Sequence, residues 1–194
     1  SGDGTPKGYV TLKQAVEANG RNIACSRFFA VDAEGITGLL NLLISLGSDH
    51  DYASFDLPAD IDMSLILPEW DGHANKSSHF AGMVRVINVQ KVLENARYQG
   101  SGTVTISVTD RQIPENSGTY KIEFKDGMAT GVTRRLLSVQ AADVEMDINA
   151  FSRLIIGTCD VSSLAFMDHV KVNTRAEALT GIFYRKPNYI TEYF

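Results

Sequence analysis

Polar and apolar positions alternate from Gly8 to Val16 and again from Asn22 to Val31, with Asn19-Gly20 between them. An Asn-Gly pair between two alternating runs predicts an antiparallel hairpin. The period then changes. Ile36, Leu39, Leu40, Leu43 and Leu46 recur at helical spacing, Asp32 stands where an N-cap belongs, Glu34 falls in the first turn, and Gly47 ends the run. Tyr52 to Leu57 reads as a short strand stopped by Pro58, and Asp60 opens a short helix before Pro68. Together these elements predict a ββαβα unit of roughly 70 residues.

Gly72 to His79 is polar and rich in small residues, which places a boundary between units there. Met83 to Val89 is a dense β-branched run, followed by a helix to Tyr98 with Val89, Val92, Leu93 and Ala96 on one face. Thr103 to Thr109 and Tyr120 to Phe124 alternate strictly, Asp126-Gly127 makes a turn, and Ala129 to Thr133 returns. Asp143 to Ile148 alternates once more before the chain turns helical. Asn149 is expected to cap Phe151, Leu154 and Ile155, Asp160 to cap Leu164 to Met167, and Thr174 to cap Ala176 to Phe183. A sheet with helices on one side follows, so the fold class is α+β rather than alternating βαβ.

Charge sharpens this division. Residues 28 to 75 hold nine acids and no Lys or Arg; residues 1 to 75 carry four basic and eleven acidic residues, a net of −7, whereas residues 76 to 194 carry fourteen and twelve, a net of +2. The acidic first unit argues against a nucleic-acid partner and favours cationic ligands, although a plain solvated acidic face would have the same composition. No apolar run approaches the ~20 residues needed to span a bilayer. Cys25 and Cys159 lie far apart in apolar surroundings, as expected for reduced thiols in a cytoplasmic protein.

The candidate chemistry is sparse. Val92, Arg97, Gly100 and Gly102 fit V-x4-R-x2-G-x-G, the pyrophosphate-binding spacing of acetyl-CoA-dependent acetyltransferases. That chemistry requires a helix N-terminus after the glycines. Here a helix precedes them and a strand follows, so a helix-to-strand turn accounts for both. His50, His73, His79 and His169 show no metal spacing. Asp110, Asn116 and Gly118 around Pro114 read as turn chemistry. Trp70 either caps a core edge or lines an aromatic wall for a cation. The last six residues, Tyr189-Ile190-Thr191-Glu192-Tyr193-Phe194, hold three rings and an isoleucine. An end this apolar gains by docking, which would carry the Phe194 α-carboxylate to a fixed place where it can act as a base.

Four stretches occur in an order that resembles the C-terminal part of the Eis-like (enhanced intracellular survival) N-acetyltransferases of the GNAT superfamily. They are Met83-Val84-Arg85-Val86-Ile87-Asn88-Val89, then Asp110 with Pro114, Asn116 and Gly118, then the Phe151 to Gly157 helix, then the aromatic-acidic-aromatic tail. The resemblance implies a partial GNAT-like ββαβα unit over residues 1–75, entered at Asp3 to Tyr9, followed by a sterol carrier protein-like α+β domain over 80–194. It implies that the Phe194 carboxylate serves as general base toward an amine, with Glu192 and Tyr193 beside it as substrate-binding residues; Trp70, in its aromatic-wall reading, joins them as a third. Asn88 stands where the family commonly has Asp, and Tyr193 takes the penultimate place. Acetyl-CoA is then the co-substrate, bound by an N-terminal domain that this chain lacks together with its general-acid tyrosine. The chain alone is expected to be inactive and to hold no cofactor or metal. Two other readings stand beside this one: an apolar-ligand module, because sterol carrier-like folds can enclose lipids, and an oligomerisation scaffold. An unfinished sheet edge near residue 1 gives a motive for self-association, and a homo-oligomer without membrane partners is expected.

Overall fold

The computed structural model describes residues 4–58, 61–65, 75–77, 82–136 and 141–188. The chain divides into two compact units, one within the first 80 residues and one over Ala81–Asn188. Among the described residues, the first unit is a three-stranded sheet and one α-helix, and the second a five-stranded sheet and four α-helices. This is the expected α+β class.

In the first unit β1 (Gly8–Glu17) and β2 (Gly20–Ala30) pair antiparallel, and β3 (Tyr52–Phe55) adds to β2 in parallel. The hairpin closes at Glu17 and Gly20, so Ala18-Asn19 form its tip rather than Asn19-Gly20. A bulge lies at Thr11/Leu12 opposite Ser26 and keeps Ile23, Cys25 and Phe28 on one face. Helix α1 (Ala33–Ser45) covers that face with Leu39 and Leu43, and Asp32 caps it as expected, accepting from the Gly35 amide at 2.8 Å. The Met63–Leu65 turn is 3-10, and Asp62 caps it by accepting from the Ser64 amide at 3.0 Å. The rest of the helix expected from Asp60 lies outside the described residues.

Helix α1 approaches the hairpin closely because Gly35 has no side chain. A Cβ there would lie 2.3 Å from the Lys7 carbonyl oxygen, which already accepts from the Val31 amide at 2.9 Å. Gly35→Ala is therefore expected to force the helix off the sheet and to destabilise this small unit by about 2–3 kcal/mol. Urea denaturation followed by circular dichroism reads the loss, and an unshifted first-unit transition rejects the account.

The second unit orders its strands β6-β5-β4-β7-β8, with β4 (Gly102–Thr109), β5 (Gly118–Lys125), β6 (Met128–Arg135), β7 (Val144–Asp147) and β8 (Lys171–Val172). Neighbours are antiparallel except β4 and β7, which run parallel. Val104, Ile106 and Val108 alternate with Thr103, Thr105 and Ser107, so one face is apolar and the other wet. The apolar face packs against α2 (Val89–Asn95), α3 (Ile148–Ile156), α4 (Val161–Leu164) and α5 (Ala176–Ile182) through Val89, Leu93, Phe151, Leu154, Leu164 and Leu179.

Several expected boundaries are corrected. Helix α2 stops at Asn95, because the Tyr98 amide donates to the Gly127 carbonyl and its hydroxyl turns back to the Leu93 carbonyl. Helix α3 is capped by Asp147 rather than Asn149, since β7 runs into it without a loop; Asp147 Oδ1 accepts from the Ala150 amide at 2.8 Å. Helix α5 starts after Arg175, with no side-chain cap from Thr174. Residues 82–88 join no ladder despite their β-branched composition. Asn88 caps α2 instead, accepting from the Lys91 amide at 2.9 Å, a role in which Asn and Asp are about equally effective.

Candidate functional site

Phe194, Glu192, Tyr193 and Trp70, with His73 and His79, lie outside the described residues. What is described is the path by which the chain reaches its last six residues. Helix α5 ends at Ile182, and Phe183 is buried edge-on to Tyr98, whose ring stacks on Phe124 at 5.1 Å. Burial raises the Tyr98 phenol well above its ordinary range, so it remains a donor to Leu93. Arg185 then pairs with Asp160 at 2.8 Å and donates to Ser163 Oγ at 2.9 Å. Asp160 also caps α4, and its carboxyl is held below the usual range by the Ser163 amide, against the pull of burial, with Arg185 adding to the effect.

The next contacts go to the end of α3. The Lys186 amide donates to the Gly157 carbonyl at 3.0 Å and its ammonium to the Ile155 carbonyl at 3.1 Å. Asn188 donates to the Ile156 carbonyl at 3.1 Å. Three successive carbonyls at a helix C-terminus, which otherwise need water or a local cap, are thus engaged by the segment that leads into the tail. Sequence reasoning reached the helix ending at Gly157 but not these partners, about thirty residues away; no local pattern encodes them.

The acidic character of the first unit is partly spent on its own structure. Lys7 pairs with Asp32 at 3.1 Å and with Glu34. The hydrogen bond to Glu34, then that to Asp32, raises the Lys7 ammonium, while the Gly35 amide, then Lys7, lowers the Asp32 carboxyl. Asp51 accepts from the Arg21 amide at 2.7 Å. These carboxylates fasten helix and hairpin ends, and the field left for a cationic ligand is smaller than the composition implies.

Asp110 and Asn116 form the turn the sequence indicates, and more than a turn. Asp110 is buried and accepts from Arg85 at 2.7 Å, from the amides of Gln112 and Ile113, and from Asn116 Nδ2 at 3.0 Å. Asn116 Oδ1 in turn accepts from the Val89 amide. The cluster ties the entry of the second unit to the β4–β5 turn, and it is structural.

The glycines of the acetyltransferase-like spacing form the helix-to-strand turn expected of them. Gly100 accepts from the Gly127 amide at 2.8 Å, and Gly102 lies against Phe124. A helix precedes these glycines and β4 follows, so residues 92–102 do not fit the pyrophosphate of acetyl-CoA. Among the described residues no group of three His, Cys, Asp or Glu could hold a metal ion, and no helix is long and apolar enough to cross a membrane. Cys25 and Cys159 are free thiols, both pushed up by burial.

Residues 89–191 match the sterol carrier protein domain, and the chain belongs to that family. Its fold over nearly the whole length is that of larger proteins. It superposes on a GCN5-related N-acetyltransferase from Anabaena variabilis ATCC 29413 with a TM-score of 0.81, at 18% identity over 99% of this chain and 48% of that one. It superposes on Eis1 from Mycobacterium abscessus with a TM-score of 0.79, at 18% identity over 96% of this chain and 48% of that one. A conserved protein from Enterococcus faecalis V583 gives 0.75, at 17% identity over 100% of this chain and 48% of that one. The chain spans about half the length of each. The resemblance to the C-terminal part of Eis-like N-acetyltransferases therefore holds at the level of fold. No curated protein matches in sequence.

Proposed function

We propose that this chain is the acceptor-side portion of an acetyl-CoA-dependent N-acetyltransferase acting on a cationic amine, with the Phe194 α-carboxylate as general base and Glu192, Tyr193 and Trp70 at the acceptor. The observation that carries the proposal is the fold likeness over 99% of the chain to half of a GCN5-related N-acetyltransferase. In this reading the carboxylate takes a proton from the substrate ammonium. The freed nitrogen attacks the thioester carbonyl; as the tetrahedral adduct collapses, the C–S bond breaks, the nitrogen gives its second proton to solvent, and the thiolate is protonated by an acid outside this chain. The acetyl-CoA-binding half is the partner, the assembly is a homo-oligomer, and the free thiols fit a reducing cytoplasm.

Joined to such a half, the chain is expected to acetylate small di- or polyamines, and alone to transfer nothing. Transfer by the chain alone, or none by the joined protein once acetyl-CoA binding is demonstrated by calorimetry, overturns the proposal.

The family name favours a second reading, an apolar ligand held between sheet and helices. The packing opposes it. Val89, Leu93, Ile106, Ile122, Val144, Phe151 and Val161 are wholly buried, whereas the walls of a cavity wide enough for a lipid would be open to a water molecule. A fluorescent fatty acid is expected to show no saturable binding at micromolar chain. Stoichiometric binding would favour the lipid reading.

A further inference from the structure

Asn19 is the one asparagine of this chain that precedes a glycine. The pair carries a chemistry as well as a turn preference, because Gly20 has no side chain to keep its amide nitrogen from the side-chain carbonyl of Asn19. Asn19 is exposed at the tip of the β1–β2 hairpin, and positive φ falls on Gly20, at +131°, rather than on Asn19. Water can therefore reach the side-chain amide, and ammonia can leave it.

A line of side chains across the sheet restrains this residue. Tyr52, the first residue of β3, directs its hydroxyl at Asn19 Oδ1, 2.8 Å away, and at Glu17 Oε2, 3.0 Å away. The hydroxyl has a single proton, which the two acceptors share. Burial, then the hydrogen bond to Glu17, pushes the Tyr52 phenol up, so it remains a donor. Glu17 Oε1 accepts from Asn22 Nδ2 at 3.0 Å, and the buried Asn22 also donates to Ser54 Oγ of β3 at 3.0 Å. Among the described strands β3 pairs with β2 alone, over four residues, so these side chains are a large part of what holds it to the hairpin.

We propose that Asn19 is a self-modification site, a slow covalent switch that Tyr52 holds closed and whose product loosens β3. The Gly20 nitrogen attacks Asn19 Cγ and the N–Cγ bond forms. The Gly20 amide proton passes through solvent to the departing nitrogen, and the Cγ–Nδ2 bond breaks with loss of ammonia. Water then opens the cyclic imide at either carbonyl. Opening at Cγ leaves aspartate; opening at the main-chain carbonyl leaves isoaspartate, with the backbone running through Cγ and lengthened by a methylene. The attack requires Asn19 to swing its Cγ onto Gly20, and the bond from Tyr52 opposes that movement. Once formed, the new carboxylate competes with Glu17 for one phenol proton. Asp51 is a further carboxylate at this end of the sheet, and Arg21 faces it with Nε 3.7 Å away. Repulsion between carboxylates then replaces a hydrogen bond, and it pushes Tyr52 and β3 from the hairpin tip.

The unaltered chain, Tyr52→Phe and Ser54→Ala, incubated in neutral phosphate buffer and digested with trypsin, report the reaction through the mass of the Gln14–Arg21 peptide. Both aspartyl and isoaspartyl products are expected, forming about fivefold faster in Tyr52→Phe than in the unaltered chain, the weight of one hydrogen bond. Ser54→Ala, which removes a β3 contact but keeps the phenol, is expected to stay within about twofold of the unaltered chain. No conversion in Tyr52→Phe, conversion of the unaltered chain as fast as when it is unfolded in urea, or equal acceleration by the two variants overturns the proposal. An aspartyl product alone overturns attack by Gly20. Asn19→Asp mimics one product, and hydrogen exchange over β3 is expected to be faster in it than in Asn19→Ala, which loses the same bond without gaining a charge. Exchange in Asn19→Asp no faster than in Asn19→Ala overturns the effect on β3.

Discussion

Extending the chain by a few residues beyond Phe194 is expected to lower kcat/KM of the joined enzyme by at least ~10²-fold at neutral pH, the lower end of what a positioned general base contributes. The extension converts the α-carboxylate into an amide, which cannot accept a proton, and carries the new terminus away. An alkyl ammonium has a pKa near that of lysine, about 10.4, so only a small fraction is free amine near pH 7. The base matters in proportion to that fraction. The deficit of the extended enzyme should therefore shrink as pH rises toward the pKa of the substrate amine, where solvent has already removed the proton. Phe194→Ala separates the ring from the charge: it keeps a terminal carboxylate but lacks the ring, and should cost less than the extension. A pH–rate profile for the three proteins decides the matter. Parallel profiles, with the extended enzyme equally active throughout, sink the assignment.

The parts of this structure that were legible in the sequence are those fixed within a few residues. The β1–β2 hairpin and α1 with its Asp32 cap follow from alternation, helical spacing and one side chain bonding three residues on. Register was less legible. Alternation through Ile148 drew the expected strand one residue too far and moved the cap to Asn149, whereas the ladder ends at Asp147, which serves as both last strand residue and helix cap. Strand β8 escaped notice because two residues carry no period. The parallel pairing of β4 with β7 joins segments almost forty residues apart and has no local signature.

The same limit applies to the site. Gly157 announces a helix end, but nothing near it names Lys186 or Asn188, because the contact is made in space by carbonyls that every residue possesses. The fold class came from the resemblance together with the patterns. Phe194, Glu192 and Tyr193 came from the resemblance or from the apolar character of the chain's end, Trp70 from its place as the single tryptophan in the acidic segment, and all four lie outside the described residues. The described residues add the route to them.

Asp110→Ala is expected to be among the most destabilising single substitutions in the second unit, at about 3–5 kcal/mol, the range for removing one partner of a buried ion pair. The side chain of Asp110 is wholly buried while that of Arg85 keeps 31% of its surface, so the charge left behind regains some water and the lower end of the range applies. The amides of Gln112 and Ile113 and the Asn116 Nδ2 lose their acceptor as well, and Asn116 holds the first amide of α2. For a unit of about 100 residues, 3 kcal/mol corresponds to a fall of roughly 12–24 °C in thermal midpoint. Asp110→Asn restores an acceptor to the two amides and should recover part of the loss. The sign of the pH dependence follows from the same contacts. Burial would raise the Asp110 carboxyl, but Asn116, then Ile113 and Gln112, and Arg85 outweigh it and hold it below its ordinary value. Its contribution is thus complete above the unfolded-state carboxyl pKa and disappears as pH falls through the depressed folded one. The unaltered chain should lose stability on acidification through that window, and Asp110→Asn should lose less. Equal acid dependence in the two proteins would mean that Asp110 does not titrate with unfolding, and a midpoint within a few degrees of normal for Asp110→Ala would mean that the cluster does not bind the entry of the second unit to its sheet.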